Sequence, residues 1–194
     1  YLLKHDSNYG TYEHAVESDE SHLIVDGHKI PVSAEKDPTQ LPWKSMKVDV
    51  VIESTGRFTK REDASMHLTA GAKKVILSAP TKSGDIETLV IGANEDKLEE
   101  AGDIISNASC TTNSIAAVMS IMDAAFGVEK AMLTTVHSYT ASQVLQDGPA
   151  KDKREARAAA ENIVPTTTGA AIAVTLTVPQ LKGRFDGLSV RVPT

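Results

Sequence analysis

The chain holds a single cysteine, Cys110, among 194 residues. It closes the small polar run Ser106-Asn107-Ala108-Ser109 and stands directly before Thr111-Thr112-Asn113, where a helical pattern begins. A cysteine at a helix N-terminus meets unpaired backbone N–H groups and the positive end of the helix dipole. Both favour the thiolate, which is the nucleophilic form. The competing account is that a lone cysteine is a small buried hydrophobe. Hydroxyl and amide neighbours on both sides speak against inert packing. His137 is the second candidate, at the end of an apolar run and ahead of Ser138-Tyr139-Thr140. If the two strand ends adjoin, a Cys–His pair activates the nucleophile and later handles a proton. If they do not, His137 is a structural side chain. The third candidate is Pro165-Thr166-Thr167-Thr168-Gly169-Ala170-Ala171, where hydroxyls and a glycine open a helix. Such a start binds anions, or it is an ordinary cap by Thr168. Thr140 and Arg191 add donors for a phosphate clamp, with a surface ion pair as the other account of Arg191. The remaining histidines, His5, His14, His22, His28 and His67, lie in polar surroundings and are expected on the surface.

The elements that must position these residues follow an α/β grammar. Val48 to Glu53 is a nearly continuous apolar run, expected as a strand buried on both faces. Ser54-Thr55-Gly56 is a loop, Glu62 to Ala70 a helix, and Gly71 its stop. Lys74 to Ser78, Thr88 to Gly92 and Asp103 to Ser106 read as further strands. Strand, loop, helix and strand in succession point to a doubly wound parallel sheet. Thr112 to Phe126 is the clearest helix, with Ile115, Val118, Met119, Met122 and Phe126 at three- and four-residue spacing and Gly127 behind it. Glu129 to His137 is a strand. The Ala-rich Arg154 to Ile163 reads as a helix. Gly169 to Leu181 has helical spacing, although its β-branched residues lean towards strand. Leu188 to Val192 is the last strand. Upstream, His22 to Ile30 forms two short strands around the hairpin signal Asp26-Gly27. We divide the chain at residues 1–109 and 110–194.

Composition narrows the function classes. Hydrophobic residues make up 41%, charged residues 24% and aromatic residues 4%, as in an ordinary soluble globular domain. The net charge of −6 argues against nucleic-acid or anionic-membrane partners, which need a basic surface. Lys151, Lys153 and Arg154 are interrupted by Asp152 and Glu155 and read as a solvated face. One cysteine permits no internal disulfide and suits a reducing, cytoplasmic compartment. Asn107-Ala108-Ser109 fits a glycosylation sequon, but no secretory signal accompanies it.

Taken as a block, Ser106-Asn107-Ala108-Ser109-Cys110-Thr111-Thr112-Asn113 resembles the active-site signature of the phosphorylating (type I) glyceraldehyde-3-phosphate dehydrogenases. His137-Ser138-Tyr139-Thr140 is similar to the family's histidine motif, at the family's spacing from the cysteine. Arg157-Ala158-Ala159-Ala160, Thr166 to Ala171, and Gly187 to Thr194 resemble later blocks. Ala34 to Pro38, Glu53 to Gly56 and Gly71 to Ile76 resemble earlier ones. The resemblance runs the whole length of the chain. It implies a partial Rossmann-like parallel-sheet domain that binds NAD, followed by a partial α+β catalytic domain.

The resemblance also implies roles. Cys110 attacks an aldehyde, His137 takes the proton, hydride passes to NAD, and inorganic phosphate releases an acyl phosphate. This is a step of glycolysis and gluconeogenesis. The backbone N–H of Cys110 would help to hold the oxyanion. Ser109, Thr111, Thr168 and Gly169 are similar to the site for attacking phosphate, and Thr140 and Arg191 to the site for the substrate's own phosphate. Ser78 resembles a residue near the nicotinamide, and Ser54, Thr55 and Gly56 resemble pocket lining. Lys36 stands where the family usually has Arg near the adenine. Gly148-Pro149 resembles the NAD-preferring form of its loop rather than the NADP-accepting one. A homotetramer is implied. The chain has no G-x-G-x-x-G and no assignable acidic ribose partner, so we expect a piece of a longer chain, truncated at both ends. The alternatives are a non-catalytic fragment and a related phosphorylating enzyme for erythrose 4-phosphate or aspartate semialdehyde.

Overall fold

The computed structural model describes residues 1–194. The chain opens with a two-stranded ribbon, β1 (His5–Asp6) and β2 (Gly10–Thr11), and an antiparallel meander, β3 (Val16–Ser18), β4 (His22–Val25) and β5 (His28–Pro31). The turn between β4 and β5 places Asp26 and Gly27 at φ of 49° and 79°. Two left-handed residues in succession match the twist of the flanking strands, which is why Asp-Gly was a hairpin signal.

A short helix α1 (Trp43–Met46) leads into strand β6 (Val50–Glu53). Helix α2 (Arg61–Thr69) crosses over to β7 (Lys74–Leu77), and β8 (Glu87–Thr88) and β9 (Ile104–Ser106) follow. These four strands form a parallel sheet in the order β6-β7-β9-β8. α2 covers one face, with Ala64 packed among Val75, Leu77, Ile86 and Ile104.

From the carboxyl end of β9 the chain turns directly into α3 (Cys110–Phe126), then strand β10 (Ala131–Ser138), strand β11 (Val164–Thr166), helix α4 (Ala170–Thr177) and strand β12 (Phe185–Val192). The second sheet runs β10-β12-β11, with β10 parallel and β11 antiparallel to the central β12. α3, α4 and the residues that flank them meet in one core, in which Ala108, Ala116 and Met119 pack with Val174, Val178 and Leu181. Gly187 allows β12 to lie close to β10, because a Cβ there would sit 3.0 Å from Leu133 Cβ and 3.1 Å from its carbonyl oxygen.

Five expectations need correction. β6 is not buried on both faces: Val51 and Glu53 are buried, but Val50 and Ile52 are 46% and 66% exposed, because β6 is an edge strand with α2 on one side only. The strand expected over Thr88 to Gly92 stops at Thr88. The Asn94 side chain takes over there, accepting from Val90 N at 2.9 Å and donating to the Thr88 carbonyl at 2.9 Å. Arg154 to Ile163 is not a helix. Its backbone bonds run to a distant segment: Val144 N to the Glu155 carbonyl, Ala159 N to the Val144 carbonyl, and Ala158 N to the Asp147 carboxylate. The apolar stripe of α3 points only partly inward. The helix buries Thr112, Ala116 and Met119, since the small Ala116 allows close packing, and leaves Val118, Met122 and Phe126 exposed. Finally, His67 is not on the surface; it is 4% exposed.

Candidate active site

Cys110 is the first residue of α3, and Ser109 is its N-cap. The Ser109 hydroxyl accepts from Thr112 N at 3.1 Å and shares a 2.8 Å hydrogen bond with the Thr112 hydroxyl. The approach to the cap is bent. Ala108 has φ of 57°, a left-handed conformation that costs a residue with a Cβ about 1–2 kcal/mol. Three contacts hold it: Ala108 N donates to Ser106 Oγ at 3.1 Å, and Asn113 Nδ2 donates to the carbonyls of Asn107 at 2.7 Å and Ser109 at 2.9 Å. The result is an exposed thiol at the head of a 17-residue helix. The N–H groups of Cys110 and Thr111 have no protein acceptor. Thr111 lines the same cleft of about 340 Å³, together with Cys110, Ser114, Thr135 and His137.

His137 lies next to last on β10, and its Nε2 is 3.3 Å from Cys110 Sγ. The pair is therefore assembled, and the sulfur is reachable. Across the sheet His137 is in register with Arg191 of β12. Arg191 Nη1 is 2.6 Å from His137 Nδ1, and the Ser138 carbonyl lies 2.7 Å from the same nitrogen. One turn of the pleat further back, Thr135, Ser189 and Thr166 sit side by side across β10, β12 and β11. The hydroxyls of Thr135 and Thr166, and Arg191 Nε, are buried without a hydrogen-bond partner. A sheet face with several unspent donors beside a cationic side chain suits an anion.

The other candidate phosphate residues are dispersed around this chain of contacts. Thr140 lies just past the carboxyl end of β10, where its hydroxyl is 3.2 Å from Ser142 Oγ and its N–H donates to Gln143 Oε1 at 3.2 Å. Thr168 precedes α4, and its hydroxyl accepts from Ala170 N at 3.2 Å. Gly169 is the N-cap residue of α4, with open space at the position of a Cβ. None of the three hydrogen-bonds to Cys110, His137 or Arg191.

The candidate cofactor residues collect at the carboxyl ends of the parallel strands: Ser54, Thr55 and Gly56 after β6, and Ser78 after β7. Ligands bind at this edge in open α/β sheets. Ser78 and Asn107 line a cleft of about 390 Å³ whose walls are Ile52, Ile76, Leu89 and Ile91, an apolar slot with polar groups at its rim. Ser54 and Thr55 line a second groove of about 660 Å³ together with Glu35. Lys36, next to Glu35, is exposed, and its backbone N–H donates to Glu35 Oε1 at 2.8 Å. These surroundings fit a flat, partly polar cofactor such as a nicotinamide dinucleotide.

Sequence reasoning missed one constellation. Glu53 at the end of β6 is buried and accepts from Thr55 N at 2.7 Å and from the Thr55 hydroxyl. His67 Nε2 is 3.1 Å from Glu53 Oε2, and Trp43 Nε1 is 3.1 Å from His67 Nδ1. Indole N–H is a donor only, so His67 Nδ1 accepts, and Nε2 carries the ring proton towards the carboxylate. The signal was present in Glu53-Ser54-Thr55, a carboxylate two residues before a hydroxyl.

An open parallel sheet with polar groups at its carboxyl edge, leading into a cysteine–histidine pair at a helix head, defines an α/β protein. Residues 109–194 match the family model described as "Glyceraldehyde 3-phosphate dehydrogenase, C-terminal domain", and residues 1–61 match "Glyceraldehyde 3-phosphate dehydrogenase, NAD binding domain". The chain belongs to the glyceraldehyde-3-phosphate dehydrogenase family. It is 55% identical over 195 aligned positions to the "Glyceraldehyde-3-phosphate dehydrogenase" of Geobacillus stearothermophilus, covering 100% of this chain and 58% of that protein. It is 52% identical to the Streptomyces coelicolor protein of the same name, covering 57% of it, and 51% identical to "Glyceraldehyde-3-phosphate dehydrogenase A, chloroplastic" of Chlamydomonas reinhardtii, covering 52% of it. In each case the whole of this chain is aligned, and it spans little more than half the length of the relative. No helix is long and apolar enough to cross a membrane.

Proposed function

We propose that the protein oxidises glyceraldehyde 3-phosphate to an acyl phosphate, with NAD as hydride acceptor and inorganic phosphate as second substrate, as a cytoplasmic enzyme of glycolysis or gluconeogenesis. The observation that carries this reading is the 3.3 Å approach of Cys110 Sγ to His137 Nε2 at the head of α3. Residues 1–109 form the cofactor-binding part and 110–194 the catalytic part, a division supported by the passage from the parallel sheet into α3. Ser54, Thr55, Gly56 and Ser78 hold the cofactor, and Lys36 lies towards its adenine end.

In the first step Sγ attacks the aldehyde carbon while His137 Nε2 takes the thiol proton. The carbonyl oxygen becomes an oxyanion, which the free N–H groups of Cys110 and Thr111 stabilise. His137 returns that proton to the oxygen, which gives a thiohemiacetal and leaves the ring neutral again. Bound NAD supplies the acceptor for the hydride that leaves its carbon. His137 removes the hydroxyl proton as the carbonyl re-forms, leaving a thioester on Cys110. An oxygen of inorganic phosphate, held by Ser109, Thr111, Thr168 and Gly169, attacks the thioester carbon and expels Sγ as thiolate. Thr140 and Arg191 hold the substrate's own phosphate.

The protein assembles as a homotetramer. The outward residues Met132, Val136 and Leu188 of the second sheet, and Leu145 and Ile163 of the long loop, support this by offering exposed apolar area. The test is aldehyde-dependent reduction of NAD by the intact protein, which should require inorganic phosphate. His137→Asn should lower kcat by roughly 10²–10⁴-fold, as loss of a general base does. Turnover that is independent of phosphate or indifferent to His137 would refute the reading.

A further inference from the structure

Glu53, His67 and Trp43 take no part in the chemistry at Cys110, yet they form a chain of hydrogen bonds that all run one way. Trp43 Nε1–H donates to His67 Nδ1 at 3.1 Å, and His67 Nε2–H donates to Glu53 Oε2 at 3.1 Å. The other carboxylate oxygen, Oε1, accepts from Thr55 N at 2.7 Å and from the Thr55 hydroxyl. The Thr55 hydroxyl oxygen in turn accepts from Arg57 N at 3.2 Å. Glu53 and His67 are buried, whereas Ser54, Thr55, Gly56 and Arg57 are exposed. A surface loop is thus tied to a carboxylate inside the protein.

The loop is tied a second time. Phe58 meets the His67 ring edge-on, with centroids 6.1 Å apart. Thr55 and Phe58 are thereby fixed on either side of Gly56, which has φ of 70°. The N–H groups of Ser54 and Gly56 have no protein acceptor. The anchoring takes up the donors of Thr55 and leaves those of its two neighbours unspent. A binding loop already held in its bound shape loses less conformational freedom when the ligand arrives.

We propose that Glu53, His67 and Trp43 are positioning residues that preform the Ser54–Gly56 loop for NAD. Glu53 holds Thr55, His67 holds the carboxylate, and Trp43 holds the His67 tautomer. This inference rests on the reading of Ser54, Thr55 and Gly56 as cofactor residues given above.

Glu53→Gln reverses one donor in the chain. Its amide NH2 must face either His67 Nε2–H or Thr55 N–H, so a donor meets a donor whichever way the group turns. In the intact protein without cofactor, amide hydrogen exchange at Thr55 should speed. The Kd for NAD in titration calorimetry and the KM for NAD should each rise about tenfold, the effect of one hydrogen bond lost from a buried network. The kcat at saturating NAD should stay within about twofold, because only binding is altered. Adding Trp43→Phe removes the donor at Nδ1. The ring proton can then move to Nδ1 and Nε2 can accept from the new amide, so the double variant should regain most of the lost affinity.

Two amides at position 67 give a second test that does not depend on Glu53→Gln folding. His67→Gln can place its NH2 where Nε2–H stood and should bind NAD nearly as the parent does. His67→Asn keeps only the acceptor for Trp43 and should bind about tenfold more weakly. Unchanged NAD affinity in folded Glu53→Gln, a double variant no better than the single one, or equal affinities of the two position-67 variants overturns the proposal. The parent protein separates the two layers. If NAD leaves the amide NMR signals of Ser54 and Gly56 unmoved, the cofactor reading of the loop itself fails. If they move while Glu53→Gln binds NAD as the parent does, only the positioning inference fails.

Discussion

Two histidines in this molecule are wired alike and end up with opposite characters. His67 and His137 each turn Nε2 towards an acidic group, Glu53 in one case and Cys110 in the other. Each also meets a donor at Nδ1, Trp43 or Arg191. Around His67 the wiring is closed: Nδ1 has one partner, the partner belongs to a rigid ring, and the carboxylate is also held by Thr55. Around His137 it is open, because a carbonyl competes for Nδ1, the donor is a flexible guanidinium with an orphaned nitrogen, and the sulfur is exposed. The same imidazole is therefore a fixed strut in one place and, in the proposed function, a proton carrier in the other. Reactivity follows from the unsatisfied bond and not from the residue type.

The comparison can be broken most severely at the thiol. Cys110→Ser replaces the nucleophile with one that is scarcely ionised at neutral pH, so aldehyde oxidation should fall below detection while the melting temperature stays near that of the parent. Retained turnover, measured as NAD reduction, would remove Cys110 from its role. At the closed histidine the expected effect lies in stability. His67→Ala removes the N–H that the buried Glu53 carboxylate accepts and leaves a cavity, which should cost about 2–4 kcal/mol in denaturant unfolding. Trp43, the only tryptophan, should report this as a change in fluorescence. The iodoacetamide rate of Cys110 in the folded variant should not move, and a change there would mean that the two histidines are coupled.

Asn113→Ala sharpens the contrast from the side of the loop. It removes two of the three hydrogen bonds that hold the turn before Cys110, and should cost about 1–2 kcal/mol while slowing turnover. The smallest effect belongs to Asp152, whose carboxyl is held down at about 2 by the Arg154 side chain and then by its backbone N–H. Its folded value lies below its unfolded one, so the contact stabilises the turn at pH values above the ordinary carboxylate range. That contribution fades as pH falls towards 2 and should be traceable by proton–carbon NMR of Asp152.

What could be read from the sequence was whatever local chemistry decides. Asp26-Gly27 fixes its hairpin through backbone sterics. Gly127 ends α3 as its spacing implied, and Cys110 was located at a helix head from its neighbours alone, although the helix starts at Cys110 and not at Thr112. What could not be read depends on partners distant in the chain. The alanines of 154–163 suit a helix in isolation, but Val144 and Asp147 claim their backbone groups. The stripe on α3 contained the larger side chains, whereas contact with α4 selected the face carrying Ala116. His67 looked like a surface residue because its immediate neighbours are polar. Trp43 and Glu53, which surround it, lie 24 and 14 residues away. The competition at His137 Nδ1 arises from the register of β10 with β12, which no short motif encodes.

The central claim is that Cys110 carries the substrate covalently, and mass spectrometry can observe this directly. Incubating the intact protein with glyceraldehyde 3-phosphate and NAD, with inorganic phosphate withheld, should add one acyl group to the peptide containing Cys110. Adding phosphate should then remove it. A peptide of unchanged mass, or an acyl group found on any other residue, would contradict the account.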